Sequence, residues 1–120
     1  MVGIDITSIE RIDRIFRQYG MDFLEHFLSA QEIKILESKN LNVASMAGFW
    51  AAKEACSKAL GVGIGKDLSF LDIIISYTPK KAPLITLTQH KLEKFHINNL
   101  ALSISHDGGF AIAIVIASFV

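Results

Sequence analysis

The sequence predicts an α+β fold in which a long helix packs on an antiparallel sheet. The order of elements supports this, because a strand is followed by helices and then mostly by strands. The Asp107-Gly108 dipeptide between two apolar runs is typical of a hairpin turn. The chain has 120 residues, of which 51% are hydrophobic and 20% charged. This composition suffices for the core of one domain over residues 1–120.

The first predicted strand and the two helices after it are recognised by alternation and capping residues. Residues 2–6 alternate as a short strand, and Ser8 caps a helix that Gly20 ends. A capping box at residues 29–32 opens the next helix, which runs through Leu36.

The longest predicted helix is rich in alanine. Asn42 or Ser45 opens it, and it runs to Leu60. The glycine-rich residues 61–66 stop it. This loop is not a standard phosphate-binding or dinucleotide-binding loop, because it follows a helix and Asp67 stands where Ser or Thr is required. We interpret it as a helix end and turn, which can still offer backbone N–H groups to a ligand.

The second half of the chain is predicted to be mostly strands. The predicted strands cover residues 71–77, 84–87, 101–105 and 110–117, with a helix over residues 88–95.

Charge and cysteine content restrict the class of protein. Lysine plus arginine and aspartate plus glutamate each number 12, so nothing indicates binding to nucleic acid. Cys56 is the only cysteine, which favours a reducing cytoplasm, and no activating partner is evident, so we interpret it as a core residue. The N-terminus lacks a basic signal region, and no apolar run is long enough for a membrane-spanning helix. We therefore expect a soluble cytoplasmic protein.

Two carboxylates occupy positions that call for a partner. Asp5 lies between two isoleucines in a predicted strand, where it needs a salt bridge, a helix N-terminus or a cation. Glu54 lies four residues before Lys58, which is also the spacing of an ordinary helix ion pair. The alanines around Glu54 indicate close packing and a half-buried carboxylate. Together, Asp5 and Glu54 could hold magnesium with waters and phosphate oxygens.

His106 ends a predicted strand at the hairpin. Such a histidine is typically hydrogen-bonded to the turn. The other three histidines show no ligand spacing with it or with Cys56, which argues against a zinc site.

Taken together, three segments resemble the short, bacterial-type holo-acyl-carrier-protein synthases, a family of 4′-phosphopantetheinyl transferases, over essentially the whole chain. The segments are residues 3–12, residues 49–61, which include Trp50-Ala51-Ala52-Lys53-Glu54-Ala55, and residues 103–106. The resemblance implies transfer of 4′-phosphopantetheine from coenzyme A to a serine of apo acyl-carrier protein in fatty-acid biosynthesis. Adenosine 3′,5′-bisphosphate would be the second product.

The resemblance also implies roles for individual residues. Asp5 and Glu54 match the magnesium-binding carboxylates, and Glu54, directly or through a water, is the candidate general base. Lys58 and Ser57 match residues that contact the phosphates of coenzyme A. All three of Asp5, Glu54 and Lys58 are therefore candidate catalytic residues.

Further positions match contacts with the coenzyme and the carrier protein. His106 matches a histidine near the 3′-phosphate, Pro83 matches a coenzyme contact, and Arg11 matches a basic residue that meets the acidic carrier. Two departures fall near the coenzyme. Phe49 stands where the family usually has arginine, and Lys81-Ala82-Pro83 replaces a Gly-Lys-Pro or Gly-Arg-Pro turn.

The resemblance implies a homotrimer with coenzyme A at the subunit boundaries, where Pro83 of one subunit lies near Glu54 of the next. Residues 110–117 give independent support, because they are apolar on both faces, whereas an antiparallel strand usually has one polar face. The alternative is that the chain's own helices cover both faces. Two other functions stay open: a non-catalytic α+β binding protein, and a transferase for polyketide-synthase or peptide-synthetase carrier domains.

Overall fold

A three-stranded antiparallel sheet crossed by one long helix forms the centre of the structure, a computed structural model that describes residues 1–120. Strand β1 (Val2–Ser8) pairs with β5 (Phe110–Phe119), and β5 pairs on its other edge with β4 (Ile97–Asp107). The long helix α4 (Val43–Ala59) packs on one face of this sheet. The predicted α+β arrangement of a long helix on an antiparallel sheet is confirmed.

Three short helices connect β1 to α4. Helix α1 (Ile9–Tyr19) begins at Ser8, whose side chain accepts a hydrogen bond from the backbone of Arg11, as predicted. Helix α2 (Met21–Phe27) was not predicted. The chain turns at Gly20, where φ is 60°, and immediately forms this second helix.

Helix α3 (Ala30–Ser38) starts at the predicted capping box. The Ser29 hydroxyl accepts from the backbone N–H of Glu32, and a Glu32 carboxylate oxygen accepts from the backbone N–H of Ser29. Asn42 rather than Ser45 opens α4, because the Asn42 side chain accepts from the backbone N–H of Ser45 at 3.0 Å.

A smaller two-stranded sheet lies beside this centre. Strand β2 (Ile73–Tyr77) pairs with β3 (Pro83–Leu87), and helix α5 (Gln89–Lys94) follows. The predicted strand from residue 71 is too long at its start. Residues Phe70–Asp72 form a single 3₁₀ turn instead, which Ser69 and Asp72 close with reciprocal hydrogen bonds.

The last hairpin is longer than predicted, and its turn is shifted by one residue. Strand β4 covers 11 residues rather than five because it pairs along almost the whole of β5. The two turn residues are Gly108 and Gly109, with φ of 57° and 85°, rather than Asp107 and Gly108. Two consecutive positive φ angles are typical of a type I′ hairpin turn, which glycine adopts without steric cost.

The two faces of the large sheet have different surroundings. On the inner face, small side chains of β5 are buried against α4: Ala111, Ala113, Val115 and Ala117. On the outer face, five large apolar side chains are between 37% and 61% exposed: Val2, Ile4, Ile6, Ile114 and Ile116. The chain's own helices therefore cover one face only, and the alternative in which they cover both is wrong.

Gly3 sets the distance between β1 and α4. A Cβ at this position would lie 2.0 Å from the Ala55 carbonyl oxygen and 2.5 Å from the Ala59 backbone nitrogen. Only glycine permits this approach, which brings the residues of β1 that follow Gly3 directly against α4. None of the helices combines the length and apolar composition needed to cross a bilayer.

Candidate active site

Asp5 points towards α4 because strand alternation places it on the same face as Gly3 and Thr7. Its side chain is only 14% exposed, and both carboxylate oxygens have partners. The Thr7 hydroxyl donates to Oδ2 at 2.7 Å, and the Lys58 ammonium donates to Oδ1 at 3.0 Å. The need for a partner predicted from the sequence is thus met here by a lysine and a hydroxyl.

Glu54 occupies α4 opposite this strand and is half-buried, as its alanine neighbours predicted. Burial raises the pKa of the Glu54 carboxyl above its usual range, and the negative charge of Asp5 raises it further. Lys58 and Arg11 lower this pKa in turn. The structure therefore brings Asp5, Lys58 and Arg11 within electrostatic reach of Glu54.

Lys58 does not form the helix ion pair that its spacing from Glu54 allowed. Its ammonium instead donates to Asp5 Oδ1 and, at 3.2 Å, to the Ile4 carbonyl oxygen, both on β1. The side chain is 51% exposed at the edge of the shallow cleft that it lines with Asp5. We call this the Asp5 cleft; its other lining residues are Ile4, Ile6 and Ile112.

Ser57 and Cys56 lie inside the protein rather than in the cleft. Ser57 is fully buried, and its hydroxyl donates to the Glu54 carbonyl oxygen at 2.7 Å. Cys56 is also fully buried, and burial raises the pKa of its thiol to about 12. The interpretation of Cys56 as a core residue is confirmed, whereas a coenzyme contact by Ser57 stays a prediction, without an exposed hydroxyl in support.

His106 lies in a second pocket, on another part of the surface. Its Nε2 is 2.9 Å from the Ala44 carbonyl oxygen, so it bonds to the start of α4 rather than to the hairpin turn. Gly48 leaves room for the ring, because a Cβ there would lie 3.2 Å from Nε2. Residues that also line this pocket, which we call the Tyr77 pocket, are Lys39, Phe49, Tyr77, Lys81 and Pro83.

The Tyr77 pocket thus brings together four positions that the sequence connected with coenzyme A: His106, Pro83 and the departures at Phe49 and Lys81. It shares no lining residue with the Asp5 cleft. Arg11, the predicted carrier contact, is exposed on α1.

Sequence reasoning missed a buried ion pair next to the site. The Lys53 ammonium, fully buried, donates to Glu32 Oε1 at 2.8 Å, to the Phe27 carbonyl oxygen at 2.8 Å and to the Phe70 carbonyl oxygen at 3.0 Å. Glu32 Oε2 accepts from the Ile75 backbone N–H at 2.8 Å. The only signal in the sequence was a lysine within an alanine-rich helix. The pair joins α3, α4, β2 and the 3₁₀ turn.

Side chains that could bind a metal do not form a large cluster in the structure. No group of three or more His, Cys, Asp or Glu side chains is placed to hold a metal ion. Asp5 and Glu54 are therefore a pair of neighbouring carboxylates and not part of a larger cluster of such side chains.

This fold is that of the 4′-phosphopantetheinyl transferase superfamily. The family model matches residues 1–115, and the chain belongs to this family. Its relatives are holo-[acyl-carrier-protein] synthases. The chain is 58% identical over 118 residues to that of Helicobacter pylori, covering 98% of this chain and 97% of that protein. It is 53% identical over 118 residues to that of Campylobacter curvus, covering 98% and 100%.

Solved structures agree with this assignment. The crystal structure of Helicobacter pylori holo-[acyl-carrier-protein] synthase in complex with coenzyme A has a TM-score of 0.93 at 58% identity, covering 98% of this chain and 100% of that one. The synthase of Neisseria meningitidis has a TM-score of 0.89 at 31% identity, covering 98% and 96%. The predicted resemblance and the prediction of a transferase are confirmed, and the alternative of a non-catalytic binding protein is set aside.

Proposed function

We propose that this protein transfers 4′-phosphopantetheine from coenzyme A to a serine of apo acyl-carrier protein, producing holo carrier protein for fatty-acid biosynthesis. One observation carries the proposal: within a chain of this family, β1 and α4 bring Asp5 and Glu54 into electrostatic contact beside Lys58. Transfer of a phosphoryl ester requires positioning and charge neutralisation, and it needs no protein nucleophile. An unreactive Cys56 is consistent with this.

The carboxylate oxygens at the Asp5 cleft are of the kind that binds magnesium. Asp5 lines the cleft and Glu54 lies beside it on α4; both are hard carboxylate ligands, which magnesium prefers, and the Thr7 hydroxyl orients Asp5. Burial and the charge of Asp5 raise the pKa of Glu54, because they destabilise its ionised form, and a cation held by both carboxylates would stabilise that form. We propose that Asp5 and Glu54 hold it. When bound, magnesium would neutralise charge on the phosphate oxygens of the substrate.

The residues of the chain supply the rest of the reaction. The carrier serine oxygen bonds to the β-phosphorus of coenzyme A while the bond from that phosphorus to the bridging oxygen breaks. Adenosine 3′,5′-bisphosphate leaves. Glu54, directly or through a water that it orients, takes the serine proton. Lys58, half-exposed at the cleft, leaves Asp5 to contact the phosphates and stabilise the leaving oxygen.

The two predicted ligand-contact regions support a shared site between subunits. The Asp5 cleft and the Tyr77 pocket have no lining residue in common. A coenzyme bound at the boundary between two copies could contact the Asp5 cleft of one copy and the Tyr77 pocket of the other. The apolar outer face of the sheet offers a surface for such an assembly. We therefore propose a homotrimer in which Pro83 of one subunit lies near Glu54 of the next.

The test of transfer is a mass measurement. The protein is incubated with apo acyl-carrier protein, coenzyme A and magnesium, and addition of phosphopantetheine to the carrier is followed by mass spectrometry. Asp5→Ala and Glu54→Ala should nearly abolish transfer without unfolding the protein. Asp67→Ala is a control, because Asp67 pairs with Lys94 away from the cleft. Wild-type turnover in either site variant at limiting magnesium would contradict the assignment.

Carrier choice is decided by the same measurement. Running it with fatty-acid, polyketide and peptide-synthetase carriers ranks them, since this choice depends on surface complementarity. Full transfer to a polyketide or peptide carrier and none to the fatty-acid carrier would replace the proposed pathway with the alternative. A cytoplasmic location also stays a prediction.

Sedimentation equilibrium tests the trimer. Ile116→Lys places a charge on the apolar outer face and should dissociate the trimer and lower activity. Leu71→Lys, which changes an equally exposed residue of the 3₁₀ turn, is the matched control. A monomeric wild-type protein with full transferase activity would rule out both the trimer and the shared site.

A further inference from the structure

Two lysines line the Tyr77 pocket beside the expected coenzyme contacts: Lys39, which the sequence did not connect with function, and Lys81, from the turn that departs from the family pattern. We propose that Lys39 and Lys81 bind the 3′-phosphate of coenzyme A, in place of the arginine that the family usually has at position 49. This rests on the proposed function. It assigns to this chain a different source of positive charge for that phosphate.

The residue at position 49 carries no charge towards a ligand. Phe49 is fully buried, and its ring lies 6.2 Å from that of Tyr77. These two rings form an apolar floor for the pocket. A phosphomonoester carries about −1.5 to −2 charges at neutral pH, so a site that binds it needs cations close by.

His106 cannot supply that charge in its neutral form. Its Nε2 lies 2.9 Å from the Ala44 carbonyl oxygen, and a carbonyl only accepts hydrogen bonds. Nε2 therefore carries the proton, which leaves Nδ1 as an acceptor in the neutral ring. A fully ionised phosphate is also only an acceptor, so His106 can donate to it only after gaining a second proton. The permanent charge must come from elsewhere in the pocket.

Lys39 is held at the pocket without a carboxylate partner. It follows the last residue of α3, and its ammonium lies 4.3 Å from the centre of the Tyr77 ring. Asn40 and Leu41, the next two residues, both have positive φ, of 57° and 51°, so the chain reverses sharply just after Lys39. Lys39 takes part in none of the five ion pairs of the structure. Its charge is available to an anion.

Lys81 occupies a strained position whose cost glycine would avoid. Its φ is 65°, which is unfavourable for a residue with a Cβ. The turn is fixed by hydrogen bonds from Lys81 N–H to the Thr78 carbonyl and from Thr78 N–H to the Ala82 carbonyl, at 2.8 and 2.9 Å. The family usually has glycine here and a basic residue next; this chain has Lys81 and then Ala82. Lys81 too lacks an ion-pair partner, so its charge is available to an anion in the pocket.

Calorimetry with two ligands tests the assignment. Coenzyme A and 3′-dephospho-coenzyme A are titrated into wild-type protein, Lys39→Ala, Lys81→Gly and the double variant. Each single change should weaken coenzyme A about tenfold, as expected for loss of one charge-assisted contact. Binding of the dephospho compound should stay within about twofold, since it lacks the phosphate that each lysine contacts.

Lys80→Ala is the matched control, because Lys80 belongs to the same turn but does not line the pocket. Lys81→Gly has a second readout: relief of strain should raise its Tm while coenzyme A binding weakens. Active wild-type protein whose double variant binds coenzyme A as tightly as Lys80→Ala, or loses both ligands equally, would overturn the lysine assignment alone. Wild-type protein that neither binds coenzyme A nor transfers phosphopantetheine would overturn the proposed function as well.

Discussion

Replacing Gly3 with alanine would force β1 away from α4. The added Cβ would lie 2.0 Å from the Ala55 carbonyl oxygen, whereas ordinary contact begins at 3.4 Å. The two elements must therefore separate by about 1.4 Å, the difference between these distances. The obstacle is backbone on both sides, so no side-chain rotation can relieve it.

This displacement acts directly on the proposed active site. Asp5 follows Gly3 by two residues on β1, and Glu54 precedes Ala55 on α4. Overpacking typically costs about 1–3 kcal/mol, and more where backbone must move, which corresponds to a fall in Tm of roughly 5–15 °C. A misplacement of about 1 Å at reacting groups can reduce a rate about 100-fold.

We expect Gly3→Ala to be folded at room temperature by circular dichroism, with lowered Tm and about 100-fold slower phosphopantetheine transfer. Gly65→Ala is the control for stability, because an added Cβ there meets no atom within 4 Å and φ is not positive. A Gly3→Ala variant with wild-type Tm and wild-type transfer would refute the close approach as the determinant of site geometry.

Three other perturbations follow from the charged groups. Lys53→Met leaves Glu32 buried without its cation, so we expect the free energy of unfolding in urea to fall by about 3–5 kcal/mol; a loss below about 1 kcal/mol would contradict this. Burial, and then the charge of Asp5, raise the pKa of Glu54. The contribution of Glu54 to the free energy of unfolding is therefore lost as pH rises through that raised pKa. Asp5→Asn should lower the Glu54 pKa in an NMR titration, and an unchanged value would show that Asp5 is not a cause. Arg11→Glu should slow carrier association about tenfold at low salt and less at high salt, with Lys94→Glu as control; a salt-independent loss would indicate misfolding or a direct catalytic role.

The sequence predicted the elements whose signals are local. The caps at Ser8, Ser29 and Asn42 all begin helices in the structure. Helix α2 was missed because Gly20 is followed by only seven helical residues, too few for a clear periodic pattern. The full length of β4 was missed because Asn98 and Asn99 interrupt its alternation, while pairing with β5 decides its extent.

The difference between local signals and tertiary contacts also explains which residues of the candidate site could be predicted. A carboxylate in an apolar strand identified Asp5, because an unpaired charge there is costly whatever the fold. The contact between Lys58 and Asp5 could not be predicted, because these residues are 53 positions apart in sequence, whereas the alternative partner Glu54 lies one helical turn away. Lys39 was missed because only the tertiary structure places the end of α3 beside Lys81 in the turn between β2 and β3.

Cys56 is a natural probe for the opening of helix α4. Cys56 lies in α4 between Glu54 and Lys58, is fully shielded from solvent, and keeps its thiol protonated at neutral pH. A thiol reagent can react with it only in molecules whose α4 has opened. The rate of alkylation in native conditions therefore measures how often this helix leaves the sheet, without an introduced label, and ligands that tighten the helix would slow it.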